Sequence, residues 1–492
     1  MKRVVPLFLA GALVASWILA LVHTVTAPVS DADVWWVAAA GRQILATRSV
    51  PATNGWSFVE PDHPWVMHEW LFGPPYAWGL EALGPGFFAL VAAGAVITLG
   101  AIVVSATVGK ARHMTTGCAL AFVALVLFAH PTARPTWVSL VFVAAMATLA
   151  LGDRLRWPRA SACVVLELVW TNAHGSFPLG VLLLAAGACA TPADRGGRIA
   201  AAAGAGLVTL VNPYGLRLHA LVFDYLLGAP AGYGDLRSIL EYAPIWQARY
   251  FTTVPPVGAV ALAVLLLAAA VTLVRGQHRA RAALVLLLAP LAAMHARNAP
   301  IVAVVACIAL VPVIDDLLAY VGLTSHARRP LGVGPAVVAC GVAGAALVAG
   351  IAFRTVASRS DGAWIDRELG GASFVRLAAR LPDGARAVAP FRSSGLLLWL
   401  ASPRGVRVFY DSRNDCYSPD MRRLGLTIRE LPRDLLVAAL ETRGTSHALV
   451  PSPAWAQPSL RTGYDGALST ATGWSLLARD GDWGLYARIP EQ

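Results

Sequence analysis

The chain has 492 residues, 57% of them hydrophobic and only 14% charged, with a mean hydropathy of +0.61. That balance excludes an ordinary soluble globular protein and describes a polytopic membrane chain. The formal charge of +11 would suggest nucleic acid in a soluble domain; here many basic residues stand in short connections between apolar runs, where they set orientation, so nucleic acid is set aside.

The first apolar run, 4–22, follows Lys2 and Arg3. It is too long for a signal-peptide core, and Pro28 behind Val25-Thr26-Ala27 argues against cleavage, so it reads as a retained anchor. "SDADVWW" comes next. The spacing predicts a capping box with Ser30 as N-cap and Asp33 as third helical residue, and Val29 and Val34 as a hydrophobic staple. That gives Asp33 a capping duty and leaves Asp31 as the freer carboxylate, with Trp35 and Trp36 fixing the helix at headgroup depth.

Further spans are expected at about 86–108, 114–130, 136–152, 160–174, 176–190, 198–212, 253–274, 280–295, 299–319 and 332–353, which with the anchor makes eleven. The two spans of 160–190 are short enough to form a hairpin dipping part-way into the bilayer, which leaves the parity unchanged. Alternate connections carry Lys2 and Arg3; Lys110 and Arg112; Arg154, Arg156 and Arg159; Arg195 and Arg198; Arg275, Arg279 and Arg281; Arg328 and Arg329, whereas the short opposite ones carry only Arg134 and Arg297. The positive-inside rule then places the N-terminus in the cytoplasm. The expected organisation is a transmembrane part, 1–353, with outer loops 23–85 (bearing juxtamembrane helices) and 213–252, and an extracytoplasmic α/β domain, 354–492. In that tail "RAVAPF", "VRVFYDS", "HALVPS", "WSLLARD" and "WGLYARI" read as strands, with helical pieces at Ala372 to Leu381 and Pro432 to Glu441. Of six cysteines, Cys118, Cys163, Cys189, Cys307 and Cys340 fall in apolar spans and Cys416 in the tail, without a CxxC or a disulfide framework.

The outer connections share one polar composition: Asp31, Asp33, His68, Glu69, His130, Arg134, Asn172, His174, Asn212, Arg217, His219, His295, Arg297 and Asn298 stand at outer span ends. A single His or Asn there is readily explained by snorkelling at the interface. Six such loops on one face argue for a polar site. Transfer of a sugar from a lipid-linked phosphate needs a carboxylate to take the acceptor's hydroxyl proton and cations for the departing phosphate. Asp31 and Asp33 are the candidate catalytic acids; His68, Glu69, His130, Arg134, His174, Arg217, His295 and Arg297 are candidate substrate and phosphate ligands. A divalent cation, Mg or Mn, would fall to Asp31, Asp33 and Glu69, with His68 beside them. His68-Glu69 does not begin a zinc-peptidase HExxH, because position 72 is Phe. "VFYDSRND" ends a strand in Asp411, Arg413 and Asp415, which is either a turn or a substrate contact.

"DADVWWVAAAGRQIL", "VPATNGWSF", "PWVMHEWL", "TNAHGSFPLG", "NPYGLRL", "ARNAPIV" and "VFYDSRNDCY" together resemble the GT-C superfamily of integral membrane glycosyltransferases. The likeness takes in its protein O-mannosyltransferase-like and lipid A glycosyltransferase-like branches, and more narrowly a bacterial group. The resemblance implies a cell-envelope enzyme of the bacterial inner (plasma) membrane with a polyprenyl-phosphate-linked sugar donor and a glycan, lipid or protein acceptor. It also implies that Asp31 or Asp33 is the general base or metal ligand. The tail lacks a WWDYG motif, so en bloc transfer to asparagine is not implied. A transporter or flippase of lipid-linked or polysaccharide material is the alternative, and it should show acids deep in several spans, where Glu167 stands nearly alone. A non-catalytic scaffold would leave the polar loops unused.

Overall fold

A computed structural model describes residues 27–107, 113–128, 135–152, 154–227, 239–247, 256–276, 278–320, 364–452 and 463–489, with single positions or short pieces at 15, 17–19, 22–23, 236 and 350. The chain divides into two compact units. One takes in Ala89–Leu216 and Leu236–Arg354 with the residues before 28; the other takes in Pro28–Phe88, Arg217–Asp235 and Thr355–Gln492.

The first unit is helical. Among the described residues one helix, Gly86–Thr107, with 22 residues and a mean hydropathy of 2.6, is long and apolar enough to cross a bilayer. The pair Ala296–Ala309 and Val311–Tyr320 passes the same test only when taken together, and it bends by 63° at the break. Thr136–Ala150, Pro178–Ala190 and Ala259–Arg275 are apolar helices of 10–17 residues. The described residues therefore do not supply the eleven full-length spans expected. At a rise of about 1.5 Å per residue such helices fall short of the roughly 30 Å of hydrocarbon. The runs at 4–22 and 332–353 lie almost wholly outside the described residues. Glu167, the acid expected inside a span, is fully buried on Trp157–Ala173. Its carboxylate fills the space that any side chain at Gly180 would need.

The second unit begins with helix α1 (Asp33–Thr47), in which Val34 through Gly41 are all buried, the pattern of a helix enclosed on every side. Helix α2 (Gly73–Leu83) has prolines in its first turn, where their missing N–H donors cost nothing. The two helices meet at Gly41 and Gly73, and a Cβ on Gly41 would overlap the Gly73 carbonyl. Backbone cannot swing aside as a side-chain tip can. Gly41→Ala is accordingly expected to destabilise this unit by about 1–3 kcal/mol or more, read as a fall in thermal melting temperature, whereas Gly55→Ala, whose Cβ meets nothing within 4 Å, leaves it close to unchanged. Trp35 packs edge-on to Phe88 with ring centroids 5.3 Å apart, and Tyr76 on α2 packs against Phe87 and Phe88 at 5.6 and 5.7 Å.

The tail residues build a mixed sheet of five strands: β1 (Arg386–Val388), β2 (Arg407–Val408), β3 (His447–Pro451), β4 (Trp474–Asp480) and β5 (Trp483–Arg488), in the order β2-β1-β3-β5-β4. All five runs picked out in the sequence are these strands. β1 lies parallel to β2 and β3, while β3, β5 and β4 are antiparallel neighbours. Gly481, at φ 52°, makes the tight turn between β4 and β5. The central strand β3 is buried at four successive residues, as a strand covered on both faces should be. The two helical pieces expected from the sequence are Gly371–Ala378 and Arg433–Thr442, and Phe391–Ala401, Pro419–Thr427 and Gly463–Leu468 are helical as well.

The first loop and the tail are one fold. Ser57 makes a parallel bridge with Val408, with Val408 N–H donating to Trp56 O (2.8 Å) and Phe58 N–H to Val408 O (3.2 Å), so residues 56–58 extend the sheet beyond β2. Val29 pairs likewise with Ile365: its N–H donates to Trp364 O (2.7 Å) and its carbonyl accepts from Asp366 N–H (3.0 Å).

Candidate functional site

Tying Val29 to the tail has a local effect on "SDADVWW". Val29 lies in an extended bridge, Ser30 O accepts from Arg392 Nη2 (3.0 Å), and the helix starts two residues later than the capping box requires. The N-cap is Ala32, without a side-chain cap. Asp31 Oδ1 instead accepts the backbone N–H of Asp33 (2.8 Å), and Asp33 Oδ1 accepts the indole N–H of Trp36 (3.0 Å). The duties expected of the two acids are thus exchanged: Asp31, buried, holds the turn, and Asp33, partly exposed, stands at the helix start. Trp35 and Trp36 are core residues, 1% and 5% exposed, rather than interface anchors. Trp36 packs edge-on to Trp65, ring centroids 5.9 Å apart.

Glu69 is buried, and His68 Nε2 lies 3.8 Å from its Oε1. Burial, with the charges of Glu69 and Asp31, holds the Tyr76 phenol well above its ordinary range. Asp31, Glu69 and Tyr76 therefore share one electrostatic neighbourhood. Among the described residues no three of His, Cys, Asp and Glu are grouped to hold a metal ion.

Across the same unit stands Arg413, 2% exposed. Its Nε donates to Asp411 Oδ1 (2.8 Å) and its Nη2 to Asp411 Oδ2 (2.7 Å) and to Asn54 Oδ1 (2.6 Å). Asp411 also accepts the Arg413 backbone N–H (2.9 Å) and the Tyr417 hydroxyl (2.7 Å). The guanidinium carbon lies 4.8 Å from the Trp56 ring centroid and 4.6 Å from that of Trp65, a cation–π arrangement. Burial opposes the Arg413 charge, but Asp411 and its hydrogen bonds more than restore it. Nearby, Ser418 donates its backbone N–H to Glu60 Oε2 (2.8 Å) and its hydroxyl to Glu60 Oε1 (2.5 Å).

Burial pushes the Asp415 carboxyl up to about 7, against the pull of its own backbone N–H and of Arg413, and with the charges of Asp411 and Asp33 adding to the rise. Asp415 therefore lies within electrostatic reach of the start of α1. The sign for stability follows. Between about pH 4 and 7 the folded protein holds a proton that the unfolded chain has released, so this group's contribution is greatest at low pH and is lost as pH rises through 7. Asp415→Asn is expected to remove that slope, at most about 1.4 kcal/mol per pH unit, in melting curves taken from pH 4 to 7.5.

The other sequence candidates divide as follows. His130 and Arg134 lie outside the described residues. Arg217 is exposed on Leu216–Leu227, in the second unit's share of the chain. In the first unit His174 is buried and its Nδ1 lies 2.9 Å from Ser176 Oγ; Asn172 donates to Leu168 O and Val211 O, both at 2.9 Å. His295 Nδ1 donates to Tyr242 O (3.0 Å), while Arg297 lies over the Tyr242 ring at 4.7 Å and 3.8 Å from Glu241. The sequence reading flagged Asp411, Arg413 and Asp415 but gave no role to Asn54, Trp56, Trp65 or Tyr417. Asn54 and Trp56 stand together in "VPATNGWSF", a stretch conspicuous only for its motif.

No protein-family model matches the chain, and no curated protein does. Among solved structures, the archaeal oligosaccharyltransferase AglB from Archaeoglobus fulgidus, in complex with an inhibitory peptide and a dolichol-phosphate, aligns with a TM-score of 0.54 at 11% identity. The alignment covers 90% of this chain and 69% of that one. The chain shares the fold of that oligosaccharyltransferase. At that identity the likeness is one of fold. The arabinofuranosyltransferase AftD from Mycobacteria aligns at a TM-score of 0.48 and 16% identity, over 98% of this chain and 42% of that one.

Proposed function

We propose that the protein is a membrane glycosyltransferase that moves a sugar from a polyprenyl-phosphate-linked donor to an acceptor hydroxyl on the extracytoplasmic face. The bacterial inner membrane is its place in this reading, with the N-terminus in the cytoplasm. The fold likeness and the apolar composition support it. The observation that carries it is the partly exposed Asp33 carboxylate at the start of α1, with Asp31 holding its backbone in place. Asp33 is the general base. As the acceptor oxygen bonds to the sugar's anomeric carbon, its proton passes to Asp33, and the bond from that carbon to the phosphate oxygen breaks with its electron pair leaving on polyprenyl phosphate. Asp31 is a positioning residue, and Glu69 and Tyr76 set the electrostatics around it.

The test is release of polyprenyl phosphate by the purified full chain in lipid vesicles, supplied in turn with polyprenyl-phosphate glucose, mannose, galactose and arabinose and a mixed acceptor fraction from cell envelope. Turnover of one donor, lost in Asp33→Asn, is the expected result; no turnover of any donor overturns the reading.

A further inference from the structure

Three connections of the first unit meet at one end of its helices. Arg198, fully buried on Arg195–Val208, donates Nη1 to Ala150 O and Nη2 to Gly152 O (2.6 Å), and Arg281 Nη2 donates to Leu151 O (2.5 Å). The carbonyls at the end of Pro135–Ala150 are thereby met by cations, which suit a helix C-terminus. Asp194 accepts the Leu155 N–H and lies 3.8 Å from Arg198. Connections 152–159, 191–198 and 275–281 together carry eight arginines against two aspartates, so positive charge is in excess here.

The stretch "RLRWPR" (154–159) has arginines with no such duty. Arg154, Arg156 and Arg159 are exposed, and among the described residues none of them has an acid partner. Arg159 Nη1 donates to Arg154 O (3.3 Å), which draws the two together. Arg156 is the N-cap of Trp157–Ala173, whose start has no side-chain cap and no acid in its first turn. Cations at a helix N-terminus oppose its dipole, which favours anions. Among the described residues nothing offsets three guanidiniums within six residues at this helix start; an anion from outside the chain would.

The neighbouring surface decides what brings that anion. Trp157 is 80% exposed, and Val165 and Val169, about two and three turns further along the same side of the helix, are exposed as well. Pro256–Arg275 repeats the arrangement, with Val260, Val264, Leu267, Val271 and Val274 exposed and leading to Arg275. Exposed aliphatic stripes that end in arginine and tryptophan match a bilayer surface, with the aliphatic groups among acyl chains and the guanidiniums and indole at headgroup level. A soluble acidic peptide would leave the stripes in water.

We propose that Arg154, Arg156, Trp157 and Arg159 hold the phosphate headgroup of an anionic membrane phospholipid, in the leaflet on the arginine-rich side. This rests on the membrane placement of the proposed function and not on its transfer step. The lipid site lies in the first unit, whereas the proposed base Asp33 belongs to the second.

The test is equilibrium binding of fluorescent-tailed phosphatidylglycerol and phosphatidylcholine to the delipidated full chain in neutral detergent, with inorganic phosphate as competitor. Phosphatidylglycerol should bind about tenfold or more tightly than phosphatidylcholine, and inorganic phosphate at the lipid's concentration should not displace it. Replacing Arg154, Arg156 and Arg159 together by glutamine should weaken it about a hundredfold, and Arg156→Gln or Arg159→Gln alone about fivefold; the single changes decide the matter if the triple variant does not fold. Trp157→Ala should weaken it too. Replacing three exposed arginines of the tail, Arg380, Arg407 and Arg443, by glutamine should leave it unchanged. Equal affinity for the two lipids, full binding by the folded arginine variants, an equal loss in the tail control, or displacement by inorganic phosphate overturns the site. A chain that binds phosphatidylglycerol in this arginine-dependent way but releases no polyprenyl phosphate keeps the lipid site and loses the proposed reaction; one that turns over a donor but binds both lipids alike keeps the reaction and loses the site.

Discussion

Arg413→Ala is expected to cost the second unit about 3–5 kcal/mol, the usual penalty for removing one member of a buried ion pair. Asp411 would be left fully buried with, among the described residues, the Tyr417 hydroxyl and the backbone N–H of residue 413 as its donors, and Asn54 and both indoles would lose their common partner. Arg413→Lys should recover little. An ammonium cannot reproduce a planar fork that serves Asp411 through two nitrogens and reaches Asn54 as well. The double change Arg413→Met with Asp411→Leu should regain much of the loss, since a buried pair replaced by apolar groups of similar volume is often close to neutral. Thermal unfolding of the detergent-solubilised protein measures all three. A single variant that melts within a degree of wild type would mean that the pair holds nothing together.

Asp33→Asn is expected to lower kcat by about 10²–10⁴-fold, the ordinary worth of a general base, with the melting temperature preserved. The amide oxygen can still accept from Trp36 Nε1, so the helix start survives while proton acceptance is lost. Asp31→Asn behaves differently, because its oxygen can go on accepting the Asp33 N–H and the turn is kept. Asp31→Ala removes that acceptor and should cost about 1 kcal/mol, as lost helix caps do. Comparison of the rates and melting temperatures of these three variants with those of the wild type tells base from prop. Full activity in Asp33→Asn would end the catalytic assignment.

How much of this was legible beforehand varies by element. The five strands could be read because β-rich runs are bounded by Gly, Pro and Asp, a local signal that survives tertiary folding. The capping box at Ser30 was a sound local rule overridden from a distance: Val29, needed for its staple, is spent on a bridge to Ile365. Nothing near residue 29 hints at residue 365. Arg413 stood out in "VFYDSRND", but its partner Asn54 lies 359 residues away in sequence, and its two tryptophans look like any aromatic residues of an outer loop. Membrane spans were the least secure, since mean apolarity is easily counted, while the breaks that shorten helices to 10–17 residues depend on how neighbours pack.

Residues 56–58 running alongside β2 carry a practical lesson. A fragment cut to begin near residue 364 would expose an unclothed strand margin, ready to recruit another molecule of itself. It would also strip Arg413 of Asn54 and both its indole neighbours. Whatever the second unit does, it does as an alloy of two stretches that ribosomal synthesis delivers more than three hundred residues apart, so the earlier one must wait for the later before either is finished.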